Sequence, residues 1–234
     1  MIPLRDDVPS RITPAVNVAV IVLCILAFMW QLSLGSHGFQ AAVYSFGLIP
    51  ATLLGDARLP PDLYAVPPVA TVFTSMFLHG GLLHLAGNML YLWIFGDNVE
   101  DSMGHGRYAL FYLACGVVAA MAQALTNPGA EVPMIGASGA ISGVLGAYLL
   151  LYPHARVLVI IPLGLLFPIV HLPAVLVLGL WFAIQILSSL LAAPGASGVA
   201  FSAHVGGFVA GMLLIPLFRY RRFPLFGRPR SRGQ

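Results

Sequence analysis

The stretch MIGASGAISG, Met134 to Gly143, sets an isolated serine between glycines where an apolar helix begins. That helix runs to Tyr152-Pro153, where proline cannot continue it. Counted from Ser138, it falls short of the roughly 20 apolar residues that cross a bilayer. A helix too short to cross obliges the chain before it to dip below the membrane surface. Backbone at that depth is tolerated only where protein buries it or water reaches it. The stretch therefore predicts a cavity open to the outside.

The surrounding chain reads as lipid-facing. Of its 234 residues, 59% are hydrophobic and only 8% charged, with a mean hydropathy of +0.92. A soluble domain carries about 25% charged residues, so a water-soluble enzyme is excluded and an integral membrane protein follows. Apolar runs occur at Ala15–Leu34, Val72–Phe95, Tyr108–Leu125, Ser138–Tyr152, Leu172–Ala192 and Val199–Phe218. Gly96-Asp97 reads as the end of the second. The first is too long for a signal-peptide core and has no clean cleavage site behind it, so it reads as a retained span. VLVIIPLGLLFPIV, Val157 to Val170, is apolar but interrupted by Pro162, Gly164 and Pro168, which predicts an interfacial or re-entrant connection.

Charge agrees with six spans. All eleven basic residues are arginine. With six spans Arg5, Arg11, Arg107, Arg156 and six tail arginines (Arg219, Arg221, Arg222, Arg228, Arg230, Arg232) share one side, and Arg58 alone opposes them, as the positive-inside tendency requires. The expected architecture is an all-α, polytopic six-helix bundle. A cytoplasmic segment (1–13) precedes a membrane domain (14–218), and an Arg-rich cytoplasmic tail (219–234) follows. Such a tail reads as an anchor at anionic headgroups rather than a nucleic-acid site. Residues 35–71, with YSFGLIP and LPPDLYAVPP, read as a partly structured external loop at the interface. Cys24 and Cys115 lie within apolar runs, so no disulfide framework is expected.

Polar side chains inside spans mark function by default. His84 with Asn88, Ser138 with Ser142, and His204 lie on the second, fourth and sixth runs, which all point the same way. Ser138 lies fifteen residues before Pro153, and His204 fifteen before Arg219. At a rise of about 1.5 Å per residue, both sit roughly 22 Å above the inner edge. His84 reaches nearly that height, with Asn88 one turn away on the same face. Gly139, Gly143 and Ala147 recur at i, i+4, i+8, as do Ala203, Gly207 and Gly211, and such stripes let helices approach closely in lipid.

One layer thus holds the parts for acyl transfer. A serine hydroxyl needs a base, and imidazole is the usual one near neutral pH. No Asp or Glu lies in the spans at this level, so the pattern is a dyad of Ser138 and His204. Backbone N–H groups at the helix start, with His84 and Asn88, can supply donors to an oxyanion.

GASGAISG, HGGLLHLAGNMLYLWIFGDNVED and AHVGGFVAG resemble the signature segments of rhomboid intramembrane serine proteases, in order and over Pro14 to Phe218. The resemblance implies a nucleophile at Ser138, a base at His204 and an oxyanion pair at His84 and Asn88. It implies a structural role for His79. It also implies cleavage of single-pass membrane proteins in or beside their transmembrane segment. The expected location is a bacterial cytoplasmic membrane, with both termini cytoplasmic as the arginines suggest, and no metal or cofactor is expected. Two features depart from the family. PPVATVFTSMF, Pro67 to Phe77, lacks the Trp-Arg pair often found in the first loop. Ser142 stands where an aromatic residue often packs on the imidazole, leaving open what orients His204. APGASGVA, Ala193 to Ala200, has the composition of a lid. The alternatives are an inactive relative that binds membrane helices, and a transporter or metal protein using His79, His84 and His204.

Overall fold

The computed structural model describes residues 1–164, 166–191 and 200–227. A short strand β1 (Ile2–Asp6) leads into the apolar helix α1 (Ala15–Ser33). The first loop carries α2 (Gly35–Phe46), the single turn α3 (Pro50–Leu53) and α4 (Pro68–Thr74), which ends in a 3-10 turn at Ser75–Phe77. Helices α5 (Leu82–Met103), α6 (His105–Thr126) and α7 (Ser138–Leu151) follow. Strands β2 (Arg156–Ile160) and β3 (Ile169–Pro173) then precede α8 (Ala174–Leu191) and α9 (Phe201–Phe218).

Among the described residues, α1, α6, α8 and α9 are each long and apolar enough to cross a membrane. The pair formed by Pro68–Phe77 and Leu82–Met103 makes a fifth candidate if read as one span broken by an 80° bend. Helix α7, apolar and 14 residues long, measures about 21 Å at the helical rise. The molecule is thus a mostly helical, multi-pass membrane protein.

The second apolar run differs from its reading as one span over Val72–Phe95. The helix breaks at Leu78 and Gly81, both extended, and restarts at Leu82. It then passes through Gly96-Asp97 to Met103. Tertiary partners explain why those residues do not stop it. The space of a Cβ on Gly96 is taken by Asn17, whose Oδ1 would lie 2.1 Å away. Buried Glu100 accepts from the N–H groups of Val16 (3.0 Å) and Asn17 (2.8 Å), satisfying donors that the start of α1 leaves open.

The Val157–Val170 segment, read from its prolines as an interfacial or re-entrant connection, joins α7 to α8 and takes a form that reading did not specify. Its two halves form an antiparallel hairpin, and β1 adds to it in the order β1-β2-β3. Val157 and Val159 point inward and are fully buried. Pro162 and Gly164, the latter with φ of +64°, fall between the strands. The helical bundle accords with the all-α expectation; this small sheet lies beside it.

Helix α9 packs chiefly against α7 and α6, and the glycine stripes make the first of these contacts one of backbone on backbone. A Cβ on Gly207 would lie 2.0 Å from the carbonyl oxygen of Gly139, and one on Gly211 1.9 Å from that of Gly143. Residues 219–227 fold back beneath the bundle. The N–H groups of Phe226 and Gly227 donate to the carbonyls of Leu150 (2.6 Å) and Leu151 (3.1 Å) at the end of α7.

Two outcomes follow. Gly211→Val forces α7 and α9 apart, an overpacking that costs about 1–3 kcal/mol; a lowered melting temperature in detergent is the check. The second concerns Asp6, whose carboxylate accepts from the Tyr148 hydroxyl. Burial pushes the Asp6 carboxyl up to about 7, against the opposing pull of that hydrogen bond. The folded protein therefore keeps a proton that the unfolded chain has released, and Asp6 lowers stability as pH rises from about 4 to about 7. Asp6→Asn removes this loss, so its melting temperature gains on the unsubstituted protein between pH 5 and pH 8.

Candidate active site

Helix α7 begins at Ser138, so the N–H groups of its first turn have no intrahelical carbonyl to meet. The chain ahead of it is held by its own backbone. Leu48 and Met134 exchange both N–H···O bonds (3.0 and 2.7 Å), Ala51 N–H donates to Ala130 (3.0 Å), and Gly136 N–H donates to Ser75 (2.9 Å). The first loop and the 3-10 turn thus satisfy the irregular backbone that a short helix requires. A cavity of about 640 Å³ opens beside it, lined by Ser138, His204, His84 and Asn88 among others.

The four residues expected as nucleophile, base and oxyanion pair meet in this cavity. Ser138 Oγ lies 2.8 Å from His204 Nε2. Across the cavity, Gly80 N–H donates to His84 Nδ1 (3.3 Å). Accepting at Nδ1 leaves the proton of a neutral ring on Nε2, so His84 presents a donor. The buried Nδ2 of Asn88 has no protein partner. Both nitrogens flank Gly136, whose φ is +123°. A Cβ there would lie 2.7 Å from His84 Nε2 and 3.6 Å from Asn88 Nδ2. Glycine is needed at this position for conformation and for space.

His79 lies behind His84, its ring centroid 5.2 Å away in an edge arrangement. Its N–H donates to Gln31 Oε1 (3.0 Å), and Gln31 Nε2 returns a bond to its carbonyl (3.3 Å). This backbone clamp ties α1 to the turn preceding α5. Ser142 takes no part in the cavity chemistry, because its hydroxyl donates to the Ser138 carbonyl at 2.6 Å. The lid reading of Ala193–Ala200 falls outside the described residues apart from Ala200.

Two neighbours of His204 escaped the sequence reading. Gln185 Oε1 lies 2.7 Å from His204 Nδ1, and the Trp181 ring lies beside the imidazole at 5.8 Å between centroids, tilted by 37°. Both come from α8. A lone amide in LVLGLWFAIQILSSLL was the available signal, since polar side chains in a span merit the same suspicion as His84 or Ser138. Among the described residues no cluster of three His, Cys, Asp or Glu side chains is placed to hold a metal ion, so His79, His84 and His204 do not form one.

A hydroxyl bonded to an imidazole, facing unpaired donors across a cavity, is the equipment of a serine hydrolase. The family model of the rhomboid domain matches residues 67–221. The chain is 32% identical over 157 residues to the rhomboid protease GluP of Bacillus subtilis, covering 67% of this chain and 27% of that protein. It is 31% identical over 189 residues to the mitochondrial rhomboid protein 1 of Saccharomyces cerevisiae, covering 75% of this chain and 50% of that one. The chain belongs to the rhomboid family, whose members include proteins named proteases, and spans between about a quarter and half the length of these relatives.

Gly136→Ala tests the cradle directly. The added methyl displaces the His84 ring, so reaction with a serine-directed phosphonate should fall at least tenfold while the protein still folds. A wild-type labelling rate would show that the space beside His84 is not used.

Proposed function

We propose that this protein is an intramembrane serine endopeptidase that cleaves single-pass membrane proteins within or beside their transmembrane segment. The observation that carries the reading is the 2.8 Å contact between Ser138 Oγ and His204 Nε2. Ser138 is the nucleophile and His204 the base. As Oγ bonds to the scissile carbonyl carbon, its proton passes to Nε2. The carbonyl oxygen becomes an oxyanion that accepts from His84 Nε2–H, Asn88 Nδ2 and backbone N–H groups at the start of α7. The C–N bond then breaks as Nε2 returns the proton to the leaving amine. Water, deprotonated by His204 Nε2, then bonds to the acyl carbon, and Nε2 returns that proton to Ser138 Oγ as the C–O bond breaks and the acid leaves.

A helical substrate must first unwind, because intrahelical hydrogen bonds occupy its carbonyls. Small residues in a transmembrane segment favour that step, so they suit the scissile position. The distribution of arginines supports six spans with both termini in the cytoplasm and the cavity opening to the outside.

The test is labelling of the purified protein in detergent by a fluorophosphonate. The unsubstituted protein should be labelled, Ser138→Ala should not, and His204→Ala should react slower by a factor of roughly 10⁴. Labelling that survives in Ser138→Ala would remove the nucleophile. Absence of labelling in the unsubstituted protein would favour a helix-binding relative without activity.

A further inference from the structure

We infer that Gln185 of α8 is a positioning residue that selects the base-competent tautomer of His204, making the dyad a Ser–His–Gln relay in geometry. This rests on the proposed serine-hydrolase reading. The contact is between Gln185 Oε1 and His204 Nδ1, at 2.7 Å, opposite the 2.8 Å contact of Nε2 with Ser138. An amide oxygen only accepts, so Nδ1 carries the ring proton and Nε2 presents its lone pair to the serine. The opposite tautomer would leave N–H facing Ser138, and the ring could not take the proton. Without an acceptor at Nδ1, nothing in this contact favours the productive form.

Burial gives the contact its leverage. Gln185 and His204 are each only 8% exposed, so a lost partner is not replaced by bulk water and leaves a buried donor unmade. Trp181, one turn before Gln185 on α8, covers the imidazole from the side. Ser189, one turn after it, lies with its Oγ 3.0 Å from that of Ser202 on α9. Two polar contacts therefore fix α8 against α9, but only one of them touches the reacting ring. Among the described residues, the groups that face His204 are Ser138 on α7 and His84 across the cavity on α5; α8 carries no charged side chain.

An amide suits the depth. A carboxylate at the same place would hold the imidazolium more strongly, but it would add a buried charge in the membrane, which is costly. Glutamine supplies the acceptor and leaves the resting site neutral.

The experiment measures fluorophosphonate inactivation of the full chain in detergent, separating kinact from KI across pH 5 to 9. Gln185→Leu should lower kinact about 10- to 100-fold with KI within twofold. Gln185→Glu restores the acceptor, so kinact should recover at high pH to within about threefold. The acid limb of its profile should move to higher pH, because a carboxylate retains the imidazolium. Ser189→Ala, which loosens the helix without touching the ring, should keep the original profile. The proposal is overturned if Gln185→Leu reacts at the unsubstituted rate. It is also overturned if Gln185→Glu shows an unmoved profile, or if Ser189→Ala matches Gln185→Leu. Failure of the serine-hydrolase reading looks different: the unsubstituted protein is then unlabelled, or Ser138→Ala is labelled.

Discussion

The backbone contact between α7 and α9 is the constraint on which the site depends. Lipid offers no hydrophobic drive for helices to associate, so packing must supply it. Here the packing surface is the main chain. Carbonyl oxygens of Gly139 and Gly143 occupy the space that side chains on Gly207 and Gly211 would fill. Contact so close leaves little freedom in register. Ser138 stands beside Gly139 and His204 one turn from Gly207, so the register that seats the glycines also sets hydroxyl and imidazole at one height.

A second constraint comes from the shortness of α7. Its first residue lies within the bundle, and the loop before it must bring peptide groups to that depth. The bonds from Leu48, Ala51 and Ser75 satisfy that loop, which gives the first external segment a structural purpose beyond connection. At the opposite end the same accounting is closed by different partners. Glu100 caps α1 from α5, Tyr108 donates to Asn17 at 2.8 Å, and the chain after α9 caps α7. Buried polar groups at both ends of the bundle are thus spent on fixing helices in place, whereas Asn88 Nδ2 stays unpartnered beside the cavity. Asn98 Oδ1 and Asp101 Oδ1 at the inner end also lack a partner, so it is the position of Asn88 beside the cavity that suits it to a ligand.

How far the sequence foretold this depends on the range of each interaction. The stripe at Gly139, Gly143 and Ala147 and its counterpart on α9 are local periodicities, and their meeting was legible from spacing. So was the common height of Ser138, His204 and His84, because helical rise is fixed. The break at Leu78–Gly81 was missed, since an apolar run carries no mark of where a helix bends. Gly96-Asp97 misled for the converse reason: its polar and flexible residues look like a stop until Asn17 and the start of α1 are set against them. The hairpin after Arg156 required β1 as a third strand, more than 150 residues away in sequence. Gln185 was visible as an amide in an apolar helix, but its partner could be found only when α8 was placed beside α9.

The charge balance of the cavity has a further consequence for the proposed chemistry. When His204 takes the serine proton it becomes cationic, and the neighbours at its ring, Gln185 and Trp181, carry no formal charge. The compensating charge is then the oxyanion itself, formed across the same cavity. Attraction between the two grows as water is excluded, so cation and anion stabilise each other only while both exist. Neutral donors such as Asn88 and His84 favour that paired state without charging the resting enzyme. A membrane-embedded site gains from this arrangement, because permanent charge is costly there whereas charge separated only at the moment of reaction is not carried between turnovers.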